Sequence, residues 1–406
     1  MPARKAAATG PHVLRQMNVA AVLAVLRDDA STAAGVSAVA AATGLSRPAV
    51  TRALAELKDR GLVEFTAAGG ARQPGRPAQY ARFRAEAGHV AGIDIGPHKV
   101  LVMIADLAGR VVTARDSAVD SGATGPQVFD IVRGALTAAA AEAGVPLSGL
   151  WAVSAGTPGV VDRDRGEVLL APSIPGWAGL PAVSMLREWL HCPVSIENDV
   201  NFAVLGERWR GAAADAVAEG GSDSLVFVQW GRRIGTGIFI NGSPYRGSSA
   251  AAGELGFIDL VRDPDAPAGP RPADGTGPFE RLVGAAAIHR LALEAGAPTG
   301  DEDDIAPLFE AAAAGDPVAV AVVDRVATRF ARGLAALLLV LDPGRVVIGG
   351  GVSRAGEVLL EPVRRQLRLH TLVPVTVQAS VLGEQAVAYG AVRHALDAAE
   401  ERMTAG

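Results

Sequence analysis

Leu45-Ser-Arg-Pro-Ala-Val-Thr-Arg-Ala-Leu-Ala-Glu-Leu-Lys58 contains a helix and the signals that start it. Ser46 is placed to cap the first amides, and Pro48 falls in the first turn, where a missing N–H costs nothing. Val50, Ala53, Leu54 and Leu57 recur at the spacing of one buried helical face. That leaves Arg47, Thr51 and Arg52 on exposed faces near the N-terminal end. Two residues before Ser46, Gly44 supplies the tolerance of positive φ that a tight turn between helices needs.

Upstream, Val19, Val22, Leu23 and Leu26 mark one helix, and Val36, Val39 and Ala40 a second, with Ser37 as its expected N-cap. Downstream, Leu62-Val63-Glu64-Phe65 reads as a short strand. Thr66 to Pro77 reads as a Gly/Pro-rich hairpin tip carrying Arg72 and Arg76, and Gln79 to Phe83 as the returning strand. Residues 13–84 thus resemble a winged helix-turn-helix. The expected DNA contacts are Ser46, Arg47, Thr51 and Arg52 from the third helix, and Arg72 and Arg76 from the wing.

Charge agrees with that division. Residues 1–84 hold 12 Lys/Arg against 5 Asp/Glu, a net +7, so the other 322 residues carry −12 of the overall −5. A basic module on an acidic body suits one domain that meets a phosphate backbone. At 406 residues, two or three domains are expected, and 49% hydrophobic with 20% charged residues is a globular composition. The lone Cys192 excludes an internal disulfide framework and any Cys-rich zinc site. No apolar run has the length of a membrane span, and residues 1–10 lack a signal core, so a cytoplasmic protein with no membrane partner is expected.

Residues 88–402 alternate strand-like and helical runs, which argues for an α/β body. His89–Ile95 and Lys99–Ala105 flank a tight turn, Leu150–Ala155 and Val194–Glu197 read as further strands, and a helix covers about Pro126 to Ala143. Ser224–Gln229 and Gly235–Ile240 open a second strand-rich stretch. A long helix over Pro317–Leu341 then leads to Arg345–Ile348 and Gly349-Gly350-Gly351. Two such stretches predict a duplicated core with a ligand cleft between its lobes.

The body is similar to the ROK family (repressors, open reading frames, sugar kinases), whose fold is that of the actin-like ATPases. Five segments carry the resemblance, in the family's order: Gly92-Ile-Asp-Ile-Gly96 for the first phosphate loop, Val153 to Asp162 for the Pro-Gly sugar loop, Glu197-Asn-Asp-Val-Asn201 for the catalytic segment, Gly242 to Gly256 for the sugar-contacting stretch, and Gly349 to Val352 for the adenosine side. The resemblance implies sugar contacts from Gly159, Asn198, Asp199, Glu254 and Glu280. Carboxylates and amides suit sugars because each hydroxyl both donates and accepts. For Asn198 and Asp199 the alternative is a helix N-cap, and for Glu254 and Glu280 an ordinary surface carboxylate.

Departures from the family pattern argue against catalysis. The first loop continues Pro97-His98, and Pro97 removes an amide donor. The second reads Gly231-Arg232-Arg233-Ile234-Gly235-Thr236-Gly237, with two arginines where small residues let backbone approach a phosphate. Phe257 stands at the family's zinc-binding His, and Asp263 to Pro278 contains no cysteine, so no zinc is expected. Two readings of Phe257 stay open: core, or a ring stacked on sugar. With ATP binding lost, Asp199, the general base of a kinase, would only accept a hydrogen bond. The expectation is a sugar-responsive transcriptional regulator, a repressor, with no catalytic residue, metal or cofactor. It would bind a palindromic operator as a homodimer or homotetramer and respond to a sugar or sugar phosphate. The alternatives are a kinase that also binds DNA and a regulator controlled by a protein partner.

Overall fold

The helical face at 50, 53, 54 and 57 closes the first core of the structure, a computed structural model that describes residues 11–67, 79–215, 223–259, 275–301 and 304–404. Helix α1 (Pro11–Asp28) and strand β1 (Ala34–Gly35) precede α2 (Val36–Thr43) and α3 (Arg47–Asp59). Strands β2 (Val63–Ala67) and β3 (Gln79–Phe83) complete the wing. Gly44 adopts φ 71° after α2, and the Ser46 hydroxyl caps α3 by accepting the Ala49 amide (3.4 Å), as the sequence predicts. The expected cap at Ser37 is corrected: Gly35 holds the capping position, with no side-chain cap, and Ser37 lies inside the first turn. The reason is β1, which the hydropathy pattern does not reveal. Ala34 and Gly35 pair with Ala81 and Tyr80 of β3, so the chain passes from sheet directly into helix.

The body begins with β4 (His89–Ile95), β5 (Lys99–Asp106), β6 (Val111–Ala118), α4 (Gly125–Glu142) and β7 (Leu150–Thr157). A small hairpin, β8 (Val160–Asp162) and β9 (Glu167–Leu170), precedes α5 (Ala182–Leu190) and β10 (Val194–Asn198). Helix α6 (Asp199–Arg210) leads to β11 (Leu225–Trp230), β12 (Ile234–Ile240) and β13 (Ser243–Pro244). Then come α7 (Glu280–Val283), α8 (Ala285–Ala295), α9 (Ala306–Ala313), α10 (Pro317–Leu341), β14 (Arg345–Gly349), α11 (Glu357–His370), β15 (Thr376–Ala379) and α12 (Ala386–Thr404).

The expected duplication is present. One sheet runs β10-β7-β4-β5-β6 and the other β13-β12-β11-β14-β15. In each, three strands pair antiparallel in sequence and two later strands add in parallel to the first. Each lobe has its own apolar core, and in the second Trp230 stacks on Phe330 with ring centroids 3.6 Å apart.

Between the lobes, α6 crosses α12 with backbones nearly touching. A Cβ on Gly390 would lie 1.8 Å from the Phe202 carbonyl oxygen, and one on Gly206 would lie 2.2 Å from that of Ala386. The far half of α12 meets the winged helix. Val19, Leu23 and Leu54 share one apolar cluster with Leu101, Leu396 and Met403, so the two modules have a common core. Arg27 Nη1 lies 2.9 Å from Glu400 Oε2, and Arg60, the residue that ends α3, donates from Nη2 to the Arg402 carbonyl (2.9 Å).

Candidate functional site

Two surfaces carry chemistry. On the first, Ser46, Arg47, Thr51 and Arg52 are all exposed at the N-terminal end of α3, on the face away from Val50 and Leu54. The Thr51 hydroxyl donates to the Arg47 carbonyl (2.9 Å) and Arg52 Nε to that of Pro48 (3.3 Å), which sets the directions in which both side chains leave the helix. Arg72 and Arg76 of the wing tip lie outside the described residues.

The second surface is the interlobe cleft. Asn198 ends β10 and caps α6: its Oδ1 accepts the amides of Val200 (3.1 Å) and Asn201 (3.3 Å), while Nδ2 donates to the Gly159 carbonyl (2.8 Å). Gly159 adopts φ 100°, and a Cβ there would sit 1.8 Å from the Leu170 carbonyl oxygen, so the loop admits only glycine. The N-cap role and the meeting of Gly159 with Asn198 thus coexist. Asp199 accepts the Val200 amide (2.8 Å) and is only partly exposed.

Carboxylates converge here. Burial, opposed by the Val200 amide and reinforced by the charge of Glu254, pushes Asp199 up to about 7. Burial, and next the charge of Asp199, pushes Asp94 on β4 up to about 7. Desolvation followed by repulsion from Glu280 also raises Glu254, although that residue is exposed overall. Glu280 is buried and braces two segments: its Oε1 accepts the Ile234 amide (2.8 Å) and Oε2 that of Gly277 (2.7 Å), with Arg233 Nη1 at 3.7 Å.

Three amides at the phosphate-loop positions are bonded internally. The Gly96 amide donates to the Lys99 carbonyl (2.8 Å), and Pro97 has none. The Gly231 amide donates to the Arg233 carbonyl (3.1 Å), and the Ile234 amide is held by Glu280. Phe257, at 37% exposure, is not a core residue. It follows Glu254 in the 3-10 turn Leu255–Phe257. Among the described residues no cluster of three His, Cys, Asp or Glu side chains could hold a metal ion, and most of the Asp263–Pro278 stretch lies outside them.

Sequence reasoning did not single out five residues of this region. Glu197, 2% exposed, accepts the Asn198 amide and Asn201 Nδ2 (both 3.0 Å) on one oxygen, and Arg246 Nε (2.6 Å) on the other. Arg246 reaches Glu197 from the opposite lobe. Arg163 Nη2 meets His394 Nε2 (2.9 Å), and burial plus the Arg163 charge holds His394 down at about 4. Asp94 is the fifth. A charge inside the apolar runs Ile93-Asp94-Ile95 and Ile196-Glu197 was a usable signal for two of the five.

A pH signature follows. The folded-state value of Asp94, about 7, exceeds its ordinary 3.8. Between the two, the native protein binds the extra proton, so stability from this group falls as pH rises through that window. Asp94→Asn should therefore stabilise the protein little at pH 4 and increasingly toward pH 8, read by thermal melting. A gain independent of pH would contradict this.

Comparison with known proteins adds to this geometry. The ROK family profile matches residues 90–398 and the MarR family profile residues 16–73. A glucokinase of Halalkalibacterium halodurans is 30% identical over 293 residues, covering 69% of this chain and 86% of that protein. The xylose repressor of Caldicellulosiruptor bescii is 24% identical over 395 residues, 94% of this chain and 95% of the repressor. The crystal structure of a ROK family transcriptional regulator, a homologue of the E. coli MLC protein, superposes with a TM-score of 0.77 at 22% identity, covering 97% of this chain and 99% of that one.

Proposed function

Because the chain belongs to the ROK family and carries a MarR-type winged helix ahead of its ROK body, we propose that it is a sugar-responsive transcriptional repressor. In this reading it acts in the cytoplasm and binds a palindromic operator as a homodimer or homotetramer. The observation that carries the proposal is the path of α12. One half crosses α6, whose first turn presents Asn198 and Asp199 to the cleft, and the other half holds Arg27 and Arg60 of the winged helix. A ligand that draws Asp199 and Glu254 together shifts α6 and, through the glycine-tight crossing, the seat of α3. Coupling of this kind requires the ligand to favour one arrangement of the two modules over the other.

The winged helix on a repressor-length body favours regulation over phosphorylation, and a relative named xylose repressor matches along 94% of the chain. The occupied amides at Gly96, Gly231 and Ile234 further support a body without phosphoryl transfer, since nucleotide phosphates are held by backbone donors at close approach. In this reading the sugar is held by Asn198, Asp199 and Glu254 beside the Gly159 loop. Glu280 acts one step back, fixing the Arg233 turn and Gly277.

Asp199→Asn is the test. It should weaken the sugar's effect on operator binding by about 1–3 kcal/mol, the range for losing a hydrogen bond to a charged group, and leave operator affinity without sugar near wild type. Fluorescence anisotropy of labelled operator with and without sugar measures both. Transfer of phosphate from ATP to a sugar that Asp199→Asn abolishes would overturn the repressor-only reading. A protein that responds to no sugar or sugar phosphate would point to control by a protein partner.

A further inference from the structure

Two arginines converge on one carboxylate oxygen. Arg246, from the second lobe, places Nε 2.6 Å from Glu197 Oε2, and Arg163, from the first, places Nε 3.5 Å from the same atom. The second distance is too long for a good hydrogen bond, so Arg246 holds the oxygen. The two guanidiniums also repel each other: burial, and next the charge of Arg246, holds Arg163 below its ordinary value.

Arg163 makes its bond elsewhere. Its Nη2 meets Nε2 of His394 on α12 (2.9 Å). A guanidinium only donates, so Nε2 accepts and the imidazole proton sits on Nδ1, facing Ser154 Oγ (2.9 Å) and Ser195 Oγ (3.1 Å). His394 stands between the two ends of α12 that matter, after Gly390 at the α6 crossing and before Glu400 at the winged helix. Arg163 lies in the turn between β8 and β9, the hairpin whose entry, Gly159, is held by Asn198. The hairpin therefore reaches from the cleft to α12.

A second anion is within reach of Arg163. Glu197 is buried, and a buried carboxylate that loses its cation is strongly destabilised. If Arg246 withdraws with its lobe, the exposed Arg163 is the nearest replacement, and taking that place means leaving His394. Resting on the sugar-responsive reading above for its trigger, we propose that Arg163 is the moving contact of a two-position switch. With Arg246 on Glu197, Arg163 holds α12 through His394. When a ligand shifts the second lobe and draws Arg246 away, Arg163 passes to Glu197, and α12 loses a hold close to the winged helix. The two arrangements are discrete, so both the cleft and the reading head can bias the balance between them.

Hydrogen–deuterium exchange on the full-length protein reads the switch without any ligand. Arg246→Gln should speed exchange of the α12 amides at 396–403 tenfold or more and leave α4 within threefold of wild type. Adding Glu197→Gln removes the rival carboxylate, so Arg163 returns to His394 and exchange at 396–403 falls back to within threefold of wild type. Independent structural losses would add instead. Arg163→Gln, at an exposed turn, should loosen 396–403 as much as Arg246→Gln does, and it decides alone if Arg246→Gln loosens α4 as well. Unchanged exchange in either single variant, or a double variant as loose as Arg246→Gln or looser, overturns the switch. Saturating D-xylose or D-glucose should loosen the same amides in wild type. If both sugars leave them unchanged while the variants behave as expected, the switch stands and the sugar-responsive reading falls.

Discussion

Arg47→Ala and Arg52→Ala should each weaken operator binding by ~1–3 kcal/mol, roughly 5- to 150-fold. Both lie in the first turns of α3, where the exposed amide end of the helix adds positive potential directed at DNA phosphates. The bond from Arg52 Nε to the Pro48 carbonyl leaves the two Nη groups as its outward donors, a geometry suited to a bidentate contact with guanine. Base reading and phosphate contact separate experimentally. A base reader loses specific affinity and relaxes preference at one position, whereas a phosphate contact weakens all sequences alike and lowers the slope of affinity against salt. Variants that bind operator as wild type does, across salt concentrations, would show that α3 is not the reading helix.

Gly390→Ala should cost ~3 kcal/mol or more, the largest stability effect expected of any single methyl group in the α6–α12 crossing. The added carbon would stand 1.8 Å from the Phe202 carbonyl oxygen, and the atoms it meets are backbone, with no flexible side chain to yield. The helices must part, which opens the cluster formed by Phe202, Val387 and Ala391. A control is available in Gly134→Ala on α4, where the new Cβ meets nothing within 4 Å. There the better helix propensity of alanine should leave stability unchanged or raise it by up to ~1 kcal/mol. Urea denaturation of both variants decides the matter. Equal midpoints would mean that the crossing is looser than its backbone distances imply.

Both sets of local signals were legible in the sequence. Ser46 with Pro48 and the 50-53-54-57 stripe specified α3 almost to the residue, and the strand runs around Gly92 and Leu225 specified two similar lobes. What stayed hidden depends on distant partners. Strand β1 is two residues long and exists only because β3 returns beside it. Arg246 has no periodic context, and its role appears only once the opposite lobe sets Glu197 before it. Glu280 reads as a ligand by its neighbours in sequence, whereas its two oxygens meet the amides of Ile234 and Gly277.

The shared core also sets an order of events during synthesis. Arg27 and its partner Glu400 are 373 residues apart, so the reading head emerges from the ribosome long before α12 exists to hold it. At translation rates of about 5–20 residues per second, that gap is roughly 20–75 s. For that interval the winged helix stands without Leu396 and Met403, which share its apolar cluster in the folded chain. Truncated chains ending before α12 would carry a reading head that no ligand in the cleft can govern.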